Sequence, residues 1–120
     1  MRLEALGELA PISAYNLALA FEFGRGTRKQ LPRAMRLYRR AAGAGDADAQ
    51  VALAFNLLDG IGARPNRRAA IQWYRRAAKR GHLSAHFSLG QLLAGASARE
   101  HLEFAAKRGH RKARRLLAQS

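Results

Sequence analysis

Cysteine is absent from the sequence, which excludes disulfides, thiolate zinc sites, iron–sulfur clusters and cysteine nucleophiles. Acidic residues are scarce, with eight Asp and Glu against twenty-two Lys and Arg, and none lies between Gly60 and Arg99. The carboxylate pairs that acid–base catalysis draws on are therefore hard to assemble, because the acids are too few and too scattered. No apolar run approaches the roughly 18 residues that a membrane span needs. The opening stretch, Met1 to Glu8, carries two acids and no apolar h-region, so no secretory signal is read there. The expected compartment is the cytoplasm, whose reducing conditions suit a chain without cysteine. Alternating strand patterns are missing too, and an all-α fold is expected. The 120 residues suffice for one domain that buries roughly 65% of its unfolded surface.

Positive charge is plentiful. Eighteen of the basic residues are arginine, and the formal net charge is +14. Such a surface attracts polyanions at long range, whether nucleic acid, anionic lipid or an acidic protein. The composition admits a second reading, in which an arginine-biased genome places Arg on solvated helix faces. Both stay open at this level.

Shifting the sequence against itself by thirty-six residues superimposes two long segments. Leu17-Ala18 falls on Leu53-Ala54, Phe21 on Leu57, Gly24 and Gly26 on Gly60 and Gly62, and Ala34 on Ala70. Leu37-Tyr38-Arg39-Arg40-Ala41-Ala42 falls on Trp73-Tyr74-Arg75-Arg76-Ala77-Ala78, and Gly45 on Gly81. A third unit starts at the same spacing, with Ala85, Leu89 and Leu93 matching Ala49, Leu53 and Leu57. It is eight residues shorter, since Ala105 to His110 follows Ala77 to His82 at a spacing of twenty-eight. The expected organisation is an N-terminal cap over 1–12, repeats over 13–48, 49–84 and 85–112, and a capping helix over 113–120.

Each unit reads as two helices. Ser13, Leu17, Ala18 and Phe21 form one face of a 3.6-residue period, and Ala34, Leu37, Tyr38, Ala41 and Ala42 form the stripe of a second helix. Pro32 sits in a first turn, Asn66 is a candidate N-cap, and Ser97-Ala98-Arg99-Glu100 reads as a capping box that restarts the chain without a long loop. The glycines fall between the stripes, where a positive φ ends a helix.

The pattern carried by Leu53-Ala54, Leu57, Gly60, Gly62, Ala70, Trp73-Tyr74, Ala77-Ala78 and Gly81 resembles the Sel-one-like repeat, a relative of the tetratricopeptide repeat. The match runs over about residues 13 to 118. The resemblance implies a short right-handed α-solenoid of about three antiparallel helix pairs with terminal capping helices. First helices would line the concave face and second helices the convex one. It also implies an adaptor function, because repeats of this kind generally hold other proteins. Ala63 and the lack of a loop Asp depart from the family pattern, and the third unit lacks the long loop altogether.

The alanine pairs let helices approach closely, while Tyr38, Trp73 and Tyr74 fill the remaining volume, so Trp73 is expected in the core. Arg114 and Arg115 stand where apolar residues would continue the array, which suits an end cap. No catalytic constellation emerges. His82 and His86 have the i, i+4 spacing of a metal pair, but no acid lies near them in sequence, and His82 recurs as His110 at a structural position. Gly24-Arg25-Gly26 and Gly60-Ile61-Gly62 follow no strand and lack the Gly-Lys-Ser/Thr ending, so they are turns and not nucleotide loops. No cofactor, metal or small-molecule substrate is expected.

Two surfaces remain. Tyr15, Leu19, Val51, Phe55, Phe87 and Gln91 occupy equivalent first-helix places and would line an apolar groove for a peptide or partner helix. The same positions could instead pack on their own second helices. Arg36, Arg40, Arg75, Arg76, Lys79 and Arg80 on second helices, with Arg64, Arg67 and Arg68 in and after a loop, would form a basic ridge. By unit the net charge is +4 for 13–48, +6 for 49–84 and +3 for 85–112, which centres the field on the second repeat. The expected function is a non-enzymatic scaffold that binds another protein or peptide with an acidic component. The alternative is nucleic-acid binding through the ridge, although no base-stacking aromatics are interleaved with the basic positions.

Overall fold

The computed structural model describes residues 13–119. Among them run seven α-helices and no strand: α1 (Ala14–Phe23), α2 (Leu31–Gly43), α3 (Ala47–Asp59), α4 (Arg67–Lys79), α5 (Leu83–Leu92), α6 (Gly95–Lys107) and α7 (Arg111–Ala118). Substantial packing joins consecutive helices, with a small further contact between α5 and α7. A chain whose helices touch chiefly their neighbours grows along one axis. Its extents are 50 × 28 × 23 Å, and its radius of gyration of 15.8 Å exceeds the about 13 Å of a compact 100-residue domain. This is the all-α solenoid expected from the repeat. The proposed cap over 1–12 lies outside the described residues.

The thirty-six-residue repeat is visible bond by bond. The Gln30 N–H donates to the Phe21 carbonyl at 2.8 Å and the Asn66 N–H to that of Leu57 at 2.6 Å. Arg25 and Ile61 N–H groups donate to Ala20 and Asn56 carbonyls, both at 2.9 Å. Each long loop is thus folded back onto the helix it leaves. Gly24 and Gly60 end α1 and α3 at φ of +67° and +76°, a conformation other residues adopt only under strain. The second loop also meets the first unit, since a Cβ on Gly62 would stand 2.7 Å from Met35 Cγ. In the third unit Leu93 and Ala94 alone join α5 to α6.

A second recurrence unites unlike side chains. The carbonyl that closes each alanine pair accepts from the residue eight positions on. Gln50 Nε2 donates to Ala42 O at 3.1 Å, His86 Nε2 to Ala78 O at 2.9 Å, and Arg114 Nε to Ala106 O at 2.9 Å. These carbonyls lie at helix C-termini, where four lack intrahelical donors. Arg114 therefore stands at a position that is polar in the second and third units as well, as Gln50 and His86, and is apolar only in the first, as Ala14, which corrects the expectation that apolar residues belong there. Only Arg115 takes the place of Val51 and Phe87. The first helices are capped alike: Asp46, His82 and His110 accept from the N–H of Ala49, Ala85 and Ala113. That capping role accounts for the recurrence of His82 as His110.

Tyr38, Tyr74, Phe21, Leu53 and Leu89 are the largest fully buried side chains, and the paired alanines are buried beside them. Trp73 is a correction: it is half-buried, packed against the core edge, with the Arg76 guanidinium 4.5 Å from its ring centroid. Burial centres on the line Ala70–Tyr74–Ala77–Ala78, which leaves Trp73 about 100° to one side. Ser97 is another. Helix α6 begins at Gly95 with Ala94 as N-cap and no side-chain cap, so Ser97 lies inside its first turn. With the loop gone, the extended Leu93 and Ala94 turn the chain early enough for the helix to start ahead of the capping box. Asn66 does cap α4, accepting from Ala69 N–H at 3.0 Å, and Pro32 lies in the first turn of α2. Ser13, placed on the packing face by its spacing, is instead the exposed N-cap of α1.

Candidate functional site: a cleft across the first helices

A cleft of about 420 Å³ crosses α1, α3 and α5. Its apolar wall is Tyr15, Leu19, Phe23, Val51, Ala52 and Phe55, while Tyr38 and Tyr74 reach it from the second helices. Among the described residues the two exposed large hydrophobics are Phe23, at 56%, and Phe55, at 50%, and both line this cleft. Four of the six predicted groove residues meet here: Tyr15, Leu19, Val51 and Phe55. Phe87 does not line it, because its ring stacks on His110 with centroids 4.6 Å apart and joins the small cluster of Ala105, Ala106 and Ala113. Gln91 is exposed and also outside the cleft.

The cleft also holds polar groups that the repeat spacing does not reveal. Glu22 is buried, at 9% exposure, and its Oε1 accepts from the Tyr38 hydroxyl at 2.5 Å. Burial, then this hydrogen bond, pushes the Tyr38 hydroxyl far above its ordinary range, which keeps it protonated as a donor. Asp48, exposed, pairs with His82 Nε2 at 2.9 Å and joins the first helix of one unit to the cap of the next. A sequence signal existed for Glu22: it is the lone charged residue in α1.

The family model of the Sel1 repeat matches three times, over residues 11–46, 47–82 and 84–110. The chain belongs to the Sel1 repeat family. A crystal structure of a Sel1 repeat protein from Oxalobacter formigenes is similar, with TM-score 0.81 and 31% identity over 88% of this chain and 45% of that one. The crystal structure of c5321, a protective antigen present in uropathogenic Escherichia coli strains and displaying an SLR fold, has TM-score 0.83 and 25% identity over 92% and 26%. The chain thus spans less than half the length of either neighbour. No curated protein matches it.

In this Sel1 repeat chain charge is segregated by helix. The first helices α1, α3 and α5 hold Glu22, Asp48 and Asp59 and no Lys or Arg. The second helices α2 and α4 hold nine Lys and Arg and no acid. All nine predicted ridge residues, Arg36, Arg40, Arg64, Arg67, Arg68, Arg75, Arg76, Lys79 and Arg80, are exposed. Three of them also have partners within the fold. Arg67 donates to the Leu92 carbonyl at 2.7 Å, Arg80 donates to that of Gly45, and Arg76 covers Trp73.

His82 and His86 do not converge despite their spacing. His82 caps α5 and faces Asp48, while His86 faces Ala78 and His101. His86 Nδ1 lies 2.8 Å from His101 Nδ1, and its ring stacks on Phe104 at 3.9 Å, itself covered by Arg108 at 3.5 Å. With Nε2–H given to Ala78, His86 Nδ1 is the acceptor and His101 Nδ1 the donor, an assignment by hydrogen-bond logic. Burial lowers both pKa values, followed for His86 by His101 and for His101 by Arg75. Among the described residues no three His, Asp or Glu side chains stand together as a metal-binding group. No helix of the described residues is long and apolar enough to cross a membrane.

Proposed function

We propose that the chain is a non-enzymatic interaction module that seats a segment of a partner protein in the cleft across α1, α3 and α5. The observation that carries this reading is that Phe23 and Phe55, both half-exposed, share one concave apolar wall. Exposed aromatics gathered in a groove supply the buried anchors on which interface energy concentrates. Sel1 repeats generally act as protein–protein interaction modules, which supports the same class. The arginines of α2 and α4 add an acidic component to the preferred partner, since they draw in negative charge at long range. Their number also favours a second reading, binding of nucleic acid through these helices.

Capture of partners with the purified chain, with and without nuclease, tests both. A protein partner retained after nuclease and lost from the Phe23→Ser/Phe55→Ser chain is the expected result. Phe87 is left intact, because it holds the third unit together. Loss of all partners on nuclease treatment, with affinity falling by a log–log salt slope near −0.9 per phosphate contact, would move the function to the arginine helices.

A further inference from the structure

We propose that the cleft selects a partner segment bearing a Lys or Arg side chain between apolar residues, with the cation held by Glu22, Asp48 and the rings of Tyr15 and Phe55. This rests on the groove reading above and names the chemistry of the occupant.

The residues lining the cleft include Glu22 and Asp48 but no Lys or Arg, although the chain carries twenty-two of them. Within a +14 molecule the groove is a local reversal of sign. Glu22 is nine-tenths buried, yet among the described residues it makes a single hydrogen bond, through Oε1 to Tyr38, and Oε2 accepts none. A desolvated carboxylate with an unused oxygen gains most from an incoming cation, which offsets the cost of its burial. Asp48 stands on the rim with its side chain 64% exposed. The Tyr15 hydroxyl has its pKa raised by burial and then by Asp48, Asp46 and Glu22, so the fields of three carboxylates reach one point of the cleft.

The aromatics complete the site. Arg25, which does not itself line the cleft, lies over Phe23, 5.3 Å from the ring centroid, so one of the two exposed aromatics already carries a guanidinium. Among the described residues none stands over Phe55, whose ring is half-exposed beside Tyr15 and Val51. An aromatic face next to carboxylates is the environment that holds a Lys or Arg side chain. A free cation would be repelled by the +14 chain at long range, so the anchor must arrive on a segment that is otherwise apolar or acidic.

The test pans a phage-displayed library of random peptides on the full chain in physiological salt and measures the selected peptides by fluorescence polarisation. The expected consensus is a Lys or Arg flanked by apolar residues. Replacing that residue by norleucine should weaken binding about tenfold, within the range of a partly desolvated cation–π contact. The Glu22→Gln/Asp48→Asn chain should lose this discrimination while still binding the peptide backbone and apolar flanks. The amide introduced by Glu22→Gln would still accept from the Tyr38 hydroxyl, and a melting curve checks the fold. Asp48→Asn alone, at an exposed site, gives a smaller loss in the same direction.

An acidic or purely apolar consensus, or discrimination that survives both substitutions, overturns the cation site and leaves the groove reading standing. Selected peptides that bind equally well to Phe55→Ala, or a library that yields no binder, overturn the groove reading as well. Self-association seen by light scattering and abolished by Phe55→Ala would assign the cleft to a second copy of the chain, and would overturn the proposal too.

Discussion

The second and third units face the same task, closing a helix pair and passing the array on, with different side chains in matching places. Where the second buries Tyr74, the third has Leu102; where the second sets Trp73 at the core edge under Arg76, the third has His101 against His86. Where Ala54 lies in α3, Gly90 lies in α5, and a Cβ there would stand 2.4 Å from Leu102 Cδ2. The shorter unit thus brings its helices closer through a missing methyl group, and the longer one spaces them with a buried ring. Ala105 and Ala106 on α6 form a separate small cluster with Ala113 on α7, whereas Ala85 and Leu89 on α5 still belong to the core that units one and two share. In a one-dimensional array, stability is a sum of unit and neighbour contributions, so α6 and α7 should open first.

Removing the ring breaks the comparison hardest. Tyr74→Ala should cost about 3–5 kcal/mol, because it empties the centre of the shared core, a large share of what a small domain has in total. Leu102→Ala should cost about 2–3 kcal/mol, with faster amide exchange confined to α6 and α7. Urea unfolding and hydrogen exchange measure both. Equal, global exchange in the two variants would show one cooperative core and no weaker unit.

The next largest effect adds a methyl group. Gly90→Ala should destabilise by about 1–3 kcal/mol through overpacking against Leu102, against a gain of about 0.5–1 kcal/mol in helix propensity. The double variant Gly90→Ala/Leu102→Ala should recover part of that loss, since the added Cβ would then have room. Thermal melting of the three chains checks the coupling.

Much of this was legible in the sequence because repeats are written in identity. Alanine pairs, glycine turns and the shortening from thirty-six to twenty-eight residues place the helices without any structure. The carbonyl braces were not legible, because Gln50, His86 and Arg114 share a task and no side-chain chemistry beyond a donor nitrogen. The burial of Tyr74 over Trp73 was half legible. Tyr38 and Tyr74 keep their residue across the first two units, whereas Leu37 and Trp73 differ at the neighbouring place. Of the cleft, spacing found Tyr15, Leu19, Val51 and Phe55. It missed Glu22, because a single acid gives no period, and it included Phe87, because the period says nothing about the missing loop or the ring of His110.

Trp73→Ala tests the corrected core directly. The side chain is half-buried and covered by Arg76, so its loss should cost about 1–2 kcal/mol, well below the cost at Tyr74. Denaturant unfolding distinguishes the two. A cost equal to that of Tyr74→Ala would return Trp73 to the core centre.

The smallest expected effect is the most specific to the third unit. In the second unit the carbonyl of Ala42 is held by Gln50, which does not titrate; in the third that of Ala78 is held by His86, which does. His86 faces His101 and, across the stacked Phe104, Arg108 at the C-cap of α6, with His82 on its own side and Arg75 beside His101. Among the described residues no acid but Glu100 is near, and it acts on His101. Burial disfavours charge on either ring, and protonating both would set two N–H groups against each other 2.8 Å apart, so the folded state favours neutral rings. A pKa lowered on folding means that the unfolded chain binds more protons below about pH 6.5. Stability from this pair is therefore fully present above that pH and declines as the pH falls through it toward the lowered folded values. The melting temperature should drop by about 2–4 °C from pH 7.5 to 5.5, with α5 and α6 exchanging first. His86→Gln gives the third unit the brace of the second, a donor to Ala78 O that carries no titrating proton. That chain should lose most of the pH dependence while keeping its melting temperature at pH 7.5 within a few degrees. A pH dependence that survives His86→Gln would place the titrating group elsewhere and leave the two braces equivalent.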